Sequence, residues 1–358
     1  MKIITISIFS AVLMLIAGSL YSQEPKPIFR RISTFEHNAS PDWIVVSPDG
    51  QYAIIGLHEV ELWSLSDGIL VDGFEDKSGD LHEIEWAPDS QWVMFASVNQ
   101  SRTPMTRIWL RDVESGEIEH LWEYDEPLYD LNWHPDSTRI VTALHSEIRM
   151  FYPDGSFEYV DNRHYVGDLS PSHLEFSPDG RFLFAVDFDR TYLWDANTYE
   201  QFDWHIELCG ECVGPWAWSP DRHTVLLANI GLLNLVEQQF STLGEFAQGY
   251  SVHRVVYSPN GEWILSYPDE LYHVSNQEIT SLPSCRSIRR VYWTPDSRYL
   301  VQDACQESNA ISILDVESKT WDIALSLEAS TASMSMSSNG ILAVVLEDNT
   351  VHVFEYLP

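Results

Sequence analysis

One short stretch, Ser47-Pro48-Asp49-Gly50, returns seven more times and dictates what this chain can fold into. The copies read Ala87-Pro88-Asp89-Ser90, His134-Pro135-Asp136-Ser137, Ser177-Pro178-Asp179-Gly180, Ser219-Pro220-Asp221-Arg222, Ser258-Pro259-Asn260-Gly261, Thr294-Pro295-Asp296-Ser297 and the degraded Ser337-Ser338-Asn339-Gly340. From Pro48 to Ser338 the second corners stand 40, 47, 43, 42, 39, 36 and 43 residues apart. A period near forty marks stacked units that cannot bury their own faces alone. The residue types suit a tight turn: Ser first, Pro presetting φ at the second corner, Asp at the third, and Gly where φ must be positive.

The flanks make each turn a hairpin. Two residues ahead of the second corner stand Trp86, Trp133, Phe176, Trp218, Tyr257 and Trp293, with Val46 and Met336 in the other copies. Behind it run apolar segments such as Tyr52-Ala53-Ile54-Ile55, Trp92-Val93-Met94-Phe95 and Ile341-Leu342-Ala343-Val344, so each turn joins two strands. A third strand follows, as in Val60-Glu61-Leu62-Trp63 and Thr191-Tyr192-Leu193-Trp194, and a fourth follows turns such as Ser66-Asp67-Gly68. Four short antiparallel strands per period predict a β-propeller.

The repeated Ser-Pro-Asp-Gly and the closing Leu193-Trp194-Asp195 resemble the WD40-type repeat, over nearly everything after residue 27. The expected fold is all-β: one eight-bladed propeller of four-stranded antiparallel blades, spanning residues 27–358. The Gly-His dipeptide of that family is missing and one copy keeps Trp-Asp, so the family's buried hydrogen-bond tetrad is not carried over. Aromatic packing is expected to hold the blades instead. The eighth unit supplies three strands, about 331–356, and would leave an open edge. Ile28-Phe29-Arg30-Arg31-Ile32-Ser33-Thr34-Phe35 has the length and composition to pair there, closing the ring with an N-terminal strand.

Residues 1–22 read as an export signal, with Lys2 ahead of an apolar run from Ile3 to Ala17. The alternative is a retained N-terminal anchor, since Ile3 to Leu20 is just long enough to span a bilayer. An extracytoplasmic location, secreted or periplasmic, is the expectation. Against 20 Lys and Arg the chain carries 54 Asp and Glu, a net charge of −34. Such a surface repels phosphate backbones and anionic lipid, which argues against nucleic acid and membrane as partners. It is compatible with solubility outside the cell and with a basic protein or peptide partner. A monomer is expected.

Four cysteines fit an exported chain with disulfides. Cys285 and Cys305 fall in loops of the seventh unit that share one face, the face opposite the turns, and a bridge closing about twenty residues would stabilise by about 3 kcal/mol. Cys209 and Cys212 have redox or half-zinc spacing but lie between strands, away from a helix start that would activate a thiol. A zinc site drawing on all four is disfavoured, because the pairs sit two blades apart.

No nucleophile elbow, phosphate loop, His-Glu-x-x-His or calcium-loop pattern occurs, and no cofactor, metal or enzymatic activity is expected. His134, His145 and His205 fall near turns or strand ends, where packed or solvated histidines are the ordinary case. Asp187-Phe188-Asp189 occupies a turn-forming position.

One constellation bears on binding. The fifth residue before each second corner, at the start of the inner strand, is Trp43, Glu83, Asp130, His173, Pro215, Arg254, Arg290 and Ser333 in turn. Glu83, Asp130 and His173 thus face Arg254 and Arg290 across a channel mouth, with Arg286 and Arg289 nearby. Such a polarised mouth could orient a partner segment or a zwitterionic ligand, or its charges could compensate one another through salt bridges. The longest step has its excess in Asn99 to Arg107 and Trp122 to Asp130, where Trp122, Tyr124 and Tyr129 read either as contact surface or as blade packing. The leading expectation is a non-enzymatic interaction platform using the face opposite the turns. The alternative is an enzyme or small-ligand or metal binder in the central channel, which would be marked by acids converging there with perturbed pKa values.

Overall fold

All eight repeated turns form, and their fourth corner is left-handed in every copy. The structure is a computed structural model and describes residues 28–37, 41, 43–56, 59–75, 80–99, 105–145, 147–161, 173–186, 191–203, 215–228, 231–244, 246, 254–267, 270–282, 290–303 and 307–358. At the fourth corner φ is +70° at Gly50, +69° at Gly180, +74° at Gly261 and +95° at Gly340, but also +62° at Ser90 and Ser137, +63° at Ser297 and +74° at Arg222. At Gly50 and Gly180 the neighbouring blade leaves no room for a side chain, whereas at Gly261 a Cβ would meet only Pro220 at 3.7 Å. A Cβ on Gly180 would lie 2.4 Å from His134 Nε2, and one on Gly50 would lie 2.5 Å from Ile341 Cγ1. Where Ser stands, its hydroxyl accepts a backbone N–H from the preceding turn: Asp49 to Ser90 at 3.1 Å, Asp89 to Ser137 at 3.0 Å, and Asn260 to Ser297 at 3.0 Å. The hydrogen bond offsets the strain of a positive φ on a residue with a Cβ.

From each turn the chain runs back as a meander. The 31 strands of the described residues fall into eight separate antiparallel sheets, seven of four strands and one of three. The inner strands are Trp43–Val46, Asp80–Trp86, Leu128–Trp133, His173–Phe176, Trp216–Trp218, Arg254–Tyr257, Val291–Trp293 and Thr331–Met336. They head blades 1 to 8 in that order. Blade 4 shows three strands and a bridge between Trp194 and Gln201, where a fourth would begin. Second strands such as Ile140–Leu144, Phe182–Val186 and Tyr299–Asp303 are buried at every residue. They are covered on both faces, which is why they read as continuous apolar runs with no alternation.

The core is divided as a ring requires. Eight hydrophobic clusters each join one blade to the next, and the last one joins blade 8 to blade 1 through Val345, Val351 and Val353 against Ile44, Val46 and Ile55. The aromatics ahead of the turns are all buried: Trp86, Trp133, Phe176, Trp218, Tyr257 and Trp293. Two of them also tie blades by polar bonds, the Trp86 indole donating to Val45 O at 3.1 Å and the Trp133 indole to Glu85 O at 3.4 Å. Aromatic packing therefore does the work expected of it.

Closure takes the expected form. The strand Phe29–Glu36 pairs antiparallel with Thr350–Tyr356, in a register running from Phe29 opposite Tyr356 to Glu36 opposite Thr350, and completes the sheet of blade 8. Phe29 and Phe35 are buried, and Phe35 stacks on Trp63 of blade 1 with ring centroids 4.7 Å apart. Each such side chain contributes about 1.5–3 kcal/mol by burial. A single strand thus fastens the last blade to the first.

Several expectations fall outside the described residues: the leader 1–22, Cys209, Cys212, Cys285, Cys305, His205, Arg286, Arg289 and Asp187-Phe188-Asp189. Among the described residues no helix is long and apolar enough to cross a membrane.

Candidate channel site

Inner strands in this fold line the central channel, and alternate residues of each face it. The starts of these strands carry the residues singled out from sequence, and two residues further along lies a second ring that was not: Val45, Glu85, Asn132, Glu175, Ala217, Val256, Tyr292 and Ser335. The two rings differ in what they touch. Several members bond directly to the neighbouring blade. Asp130 accepts the backbone N–H of Leu174 at 2.6 Å and of Leu131 at 2.9 Å, Asn132 Oδ1 accepts from Phe176 N at 3.1 Å, and Ser335 Oγ accepts from Val46 N at 3.1 Å.

Glu83, Asp130 and His173 come together on one side of the channel, around a cavity of about 390 Å³ that is also lined by Glu85, Asn132, Glu175, Pro215 and Trp216. His173 Nδ1 stands 3.9 Å from Asp130 Oδ2. Arg254 does not enter this group. It lines an adjoining cavity of about 550 Å³ with Glu175, Trp216, Trp218, Tyr257, Tyr292 and Trp293. The indole N–H groups of Trp218 and Trp293, both on that wall, are buried without a hydrogen-bond partner. Arg290 donates instead to Ser333 Oγ on blade 8. Among the described residues no ion pair joins Glu83, Asp130 or His173 to Arg254 or Arg290.

Burial shapes the acidic sector. Desolvation, then the charge of Asp130, pushes the Glu83 carboxyl up to about 7. Glu175 is pushed up to about 7 for the same two reasons. Asp130 rises to about 6 through desolvation, held back by the Leu174 N–H, His173 and the Leu131 N–H. Glu85 is raised well above the usual carboxylate range by desolvation, and further by Glu83, Asp130 and Glu175, against the pull of the Trp133 backbone N–H. Its Oε1 accepts from Asn132 Nδ2 at 3.1 Å. Acids with perturbed ionisation therefore do converge on the channel. Among the described residues, no group of three or more His, Cys, Asp or Glu is placed to hold a metal ion.

The aromatics of the longest repeat prove to be packing. Trp122 and Tyr124 lie in the strand Ile118–Tyr124, Trp122 packs on Phe151 with centroids 4.9 Å apart, and the Arg149 guanidinium sits 4.6 Å over the Tyr124 ring. Tyr129 OH meets His145 Nδ1 at 2.8 Å. His134 is buried in its turn and bonds Gly180 O at 3.0 Å.

No protein-family model matches the chain. A curated protein from Drosophila melanogaster, Actin-interacting protein 1, is 23% identical over 211 residues, covering 53% of this chain. The match spans about a third of that relative's length, at 32%. That relative is a WD40-repeat protein. The chain is an eight-bladed β-propeller, distantly similar to a WD40-repeat protein.

Proposed function

We propose that this protein is an exported, non-enzymatic interaction platform that engages a protein or peptide partner on the face opposite the repeated turns, with the polarised channel mouth orienting what docks there. The observation carrying the reading is the contrast at one register: Glu83, Asp130 and His173 on blades 2 to 4, Arg254 and Arg290 on blades 6 and 7, with no ion pair between the two groups among the described residues. Charges that do not neutralise each other remain available to a partner. A relative named for its interaction with actin belongs to the same class of protein binders. The net charge of −34 favours a basic partner and disfavours nucleic acid and anionic lipid. Export rests on the sequence of residues 1–22, and the chain is read as a monomer outside the cytoplasm.

A second reading, a small-ligand site in the channel, is favoured by one observation, the convergence of Glu83, Glu85, Asp130 and Glu175 with raised pKa values. The two readings meet if the ligand is a side chain of the partner. The test is to pan a displayed peptide library on the intact protein and to measure the selected peptides on the Arg254→Ala/Arg290→Ala variant. Affinity should fall about tenfold, with the melting temperature unchanged. Undiminished binding to that variant would remove the polarised mouth from the account.

A further inference from the structure

We propose that the cavity walled by blades 4 to 7 is a binding site for an aromatic carboxylate, a small ligand with a flat apolar body and one carboxylate head. Such a site goes beyond the platform reading, since it needs no docked protein.

The buried tryptophans two residues ahead of the second corner share one register, yet they divide into two kinds. On blades 2 and 3 the indole N–H crosses to a carbonyl of the preceding blade, from Trp86 to Val45 O at 3.1 Å and from Trp133 to Glu85 O at 3.4 Å. On blades 5 and 7 the indole N–H of Trp218 and of Trp293 is buried with no partner. The residues at the register of the missing acceptors are Glu175 and Val256. Both line the cavity of about 550 Å³, and so do the two tryptophans. The cavity therefore lies where two of the inter-blade bonds of this fold are not made. An N–H that has lost water and gained no acceptor is costly, and an acceptor on an occupant removes that cost. Each of these N–H groups is closed off from solvent within the wall, so it meets an occupant by a small turn of its ring.

The wall selects the chemistry of the occupant. Indole and guanidinium groups donate and cannot accept. Among the described residues lining the cavity, Arg254 carries the one positive charge and Glu175 the one carboxyl. Arg254 stands exposed at the start of its inner strand, free to meet a charged head. The Tyr292 hydroxyl is engaged already, donating to Met334 O at 3.2 Å. Unmade donors thus await an acceptor, and one guanidinium with two neutral N–H groups suits the single charge of a carboxylate better than the doubled charge of a phosphate. Trp216, Trp218, Tyr257, Tyr292 and Trp293 supply aromatic faces and edges for a flat ring. A volume of about 550 Å³ is that of a small-molecule site. Glu175 holds its proton up to about 7, so at pH 6 it meets the ligand mostly as a neutral group.

The test is calorimetric titration of the intact chain at pH 6 with phenylacetate and with its neutral counterpart phenylacetamide, followed in parallel by tryptophan fluorescence. We expect saturable one-to-one binding of the acid, about tenfold or more tighter than the amide, with a change in fluorescence as the indoles engage. Arg254→Ala should bring the acid down to the level of the amide, and the exposure of Arg254 keeps this variant folded. Trp218→Phe and Trp293→Phe, which keep a ring and remove the N–H, should each weaken the acid about fivefold. Trp86→Phe, whose indole is bonded within the fold, should bind as the parent does. Absence of saturable binding by the acid would overturn the site, as would equal affinity for acid and amide, or parental affinity in both Trp218→Phe and Trp293→Phe. The two proposals fail separately. Peptides that are selected and bind where phenylacetate does not keep the platform and remove the carboxylate site, whereas phenylacetate that binds where no peptide is selected keeps the site and removes the platform.

Discussion

The turn face and the channel are built from the same eight repeats, yet they treat repetition in opposite ways. At the fourth corner of the turn, Gly, Ser and Arg all adopt one left-handed backbone, and at Ser90, Ser137 and Ser297 the hydroxyl adds a bond to the preceding turn. At the channel register no such convergence occurs: Trp43, Glu83, Asp130, His173, Pro215, Arg254, Arg290 and Ser333 share a position and little chemistry. Repeated positions carry the ring. Positions that are equivalent in register but divergent in chemistry are free of that duty.

That contrast can be broken at the closure first, where the largest effect is expected. Deleting residues 28–36 removes the strand that completes blade 8 and exposes the Thr350–Tyr356 edge. Cooperative thermal unfolding should be lost, and a deletion that still melts in one sharp transition would show that the ring does not depend on this strand. A smaller effect is expected at the turns. Gly180→Ala places a Cβ 2.4 Å from His134 Nε2 at a φ of +69°, and should cost about 1–3 kcal/mol by denaturant unfolding. Smaller again is Ser297→Gly, which loses the bond from Asn260 N but relaxes a φ of +63°, for a net change of less than about 1 kcal/mol. Equal costs at Gly180 and Ser297 would mean that the neighbouring blade does not decide which residue each turn uses.

The same contrast explains what sequence could and could not disclose. The turns, the strands around them and the closing strand were legible because each is stated many times or is demanded by an open edge. The first channel ring was legible for a related reason, since the turn proline supplies a register from which Glu83, Asp130 and His173 can be counted. Glu85, Asn132 and Glu175 were missed although they lie only two residues further on, which is the strand period, and carrying the count one step would have found them. Their burial and the raised pKa values of Glu85 and Glu175 depend on three blades converging, and no local pattern records that. The excess length of the second repeat was ambiguous because Trp122 and Tyr124, two apart, suit either an exposed loop or one face of a strand. The strand Ile118–Tyr124 and the packing on Phe151 decide for the latter.

The measurement closest to the central claim, that the channel carboxyls serve recognition and not the fold, is thermal unfolding of a Glu83→Gln/Glu175→Gln variant beside the parent at pH 5 and pH 8. Both carboxyls are held near 7 in the folded protein against 4.5 in an open chain. A group raised in this way favours the fold fully below its unfolded value, and that contribution is lost as pH rises through the folded one. The variant, neutral throughout, should melt slightly above the parent at pH 5, where the unfolded carboxyls are already largely ionised, and about 3 °C or more above it at pH 8. A variant that melts below the parent at both values would make these carboxylates structural and contradict the account.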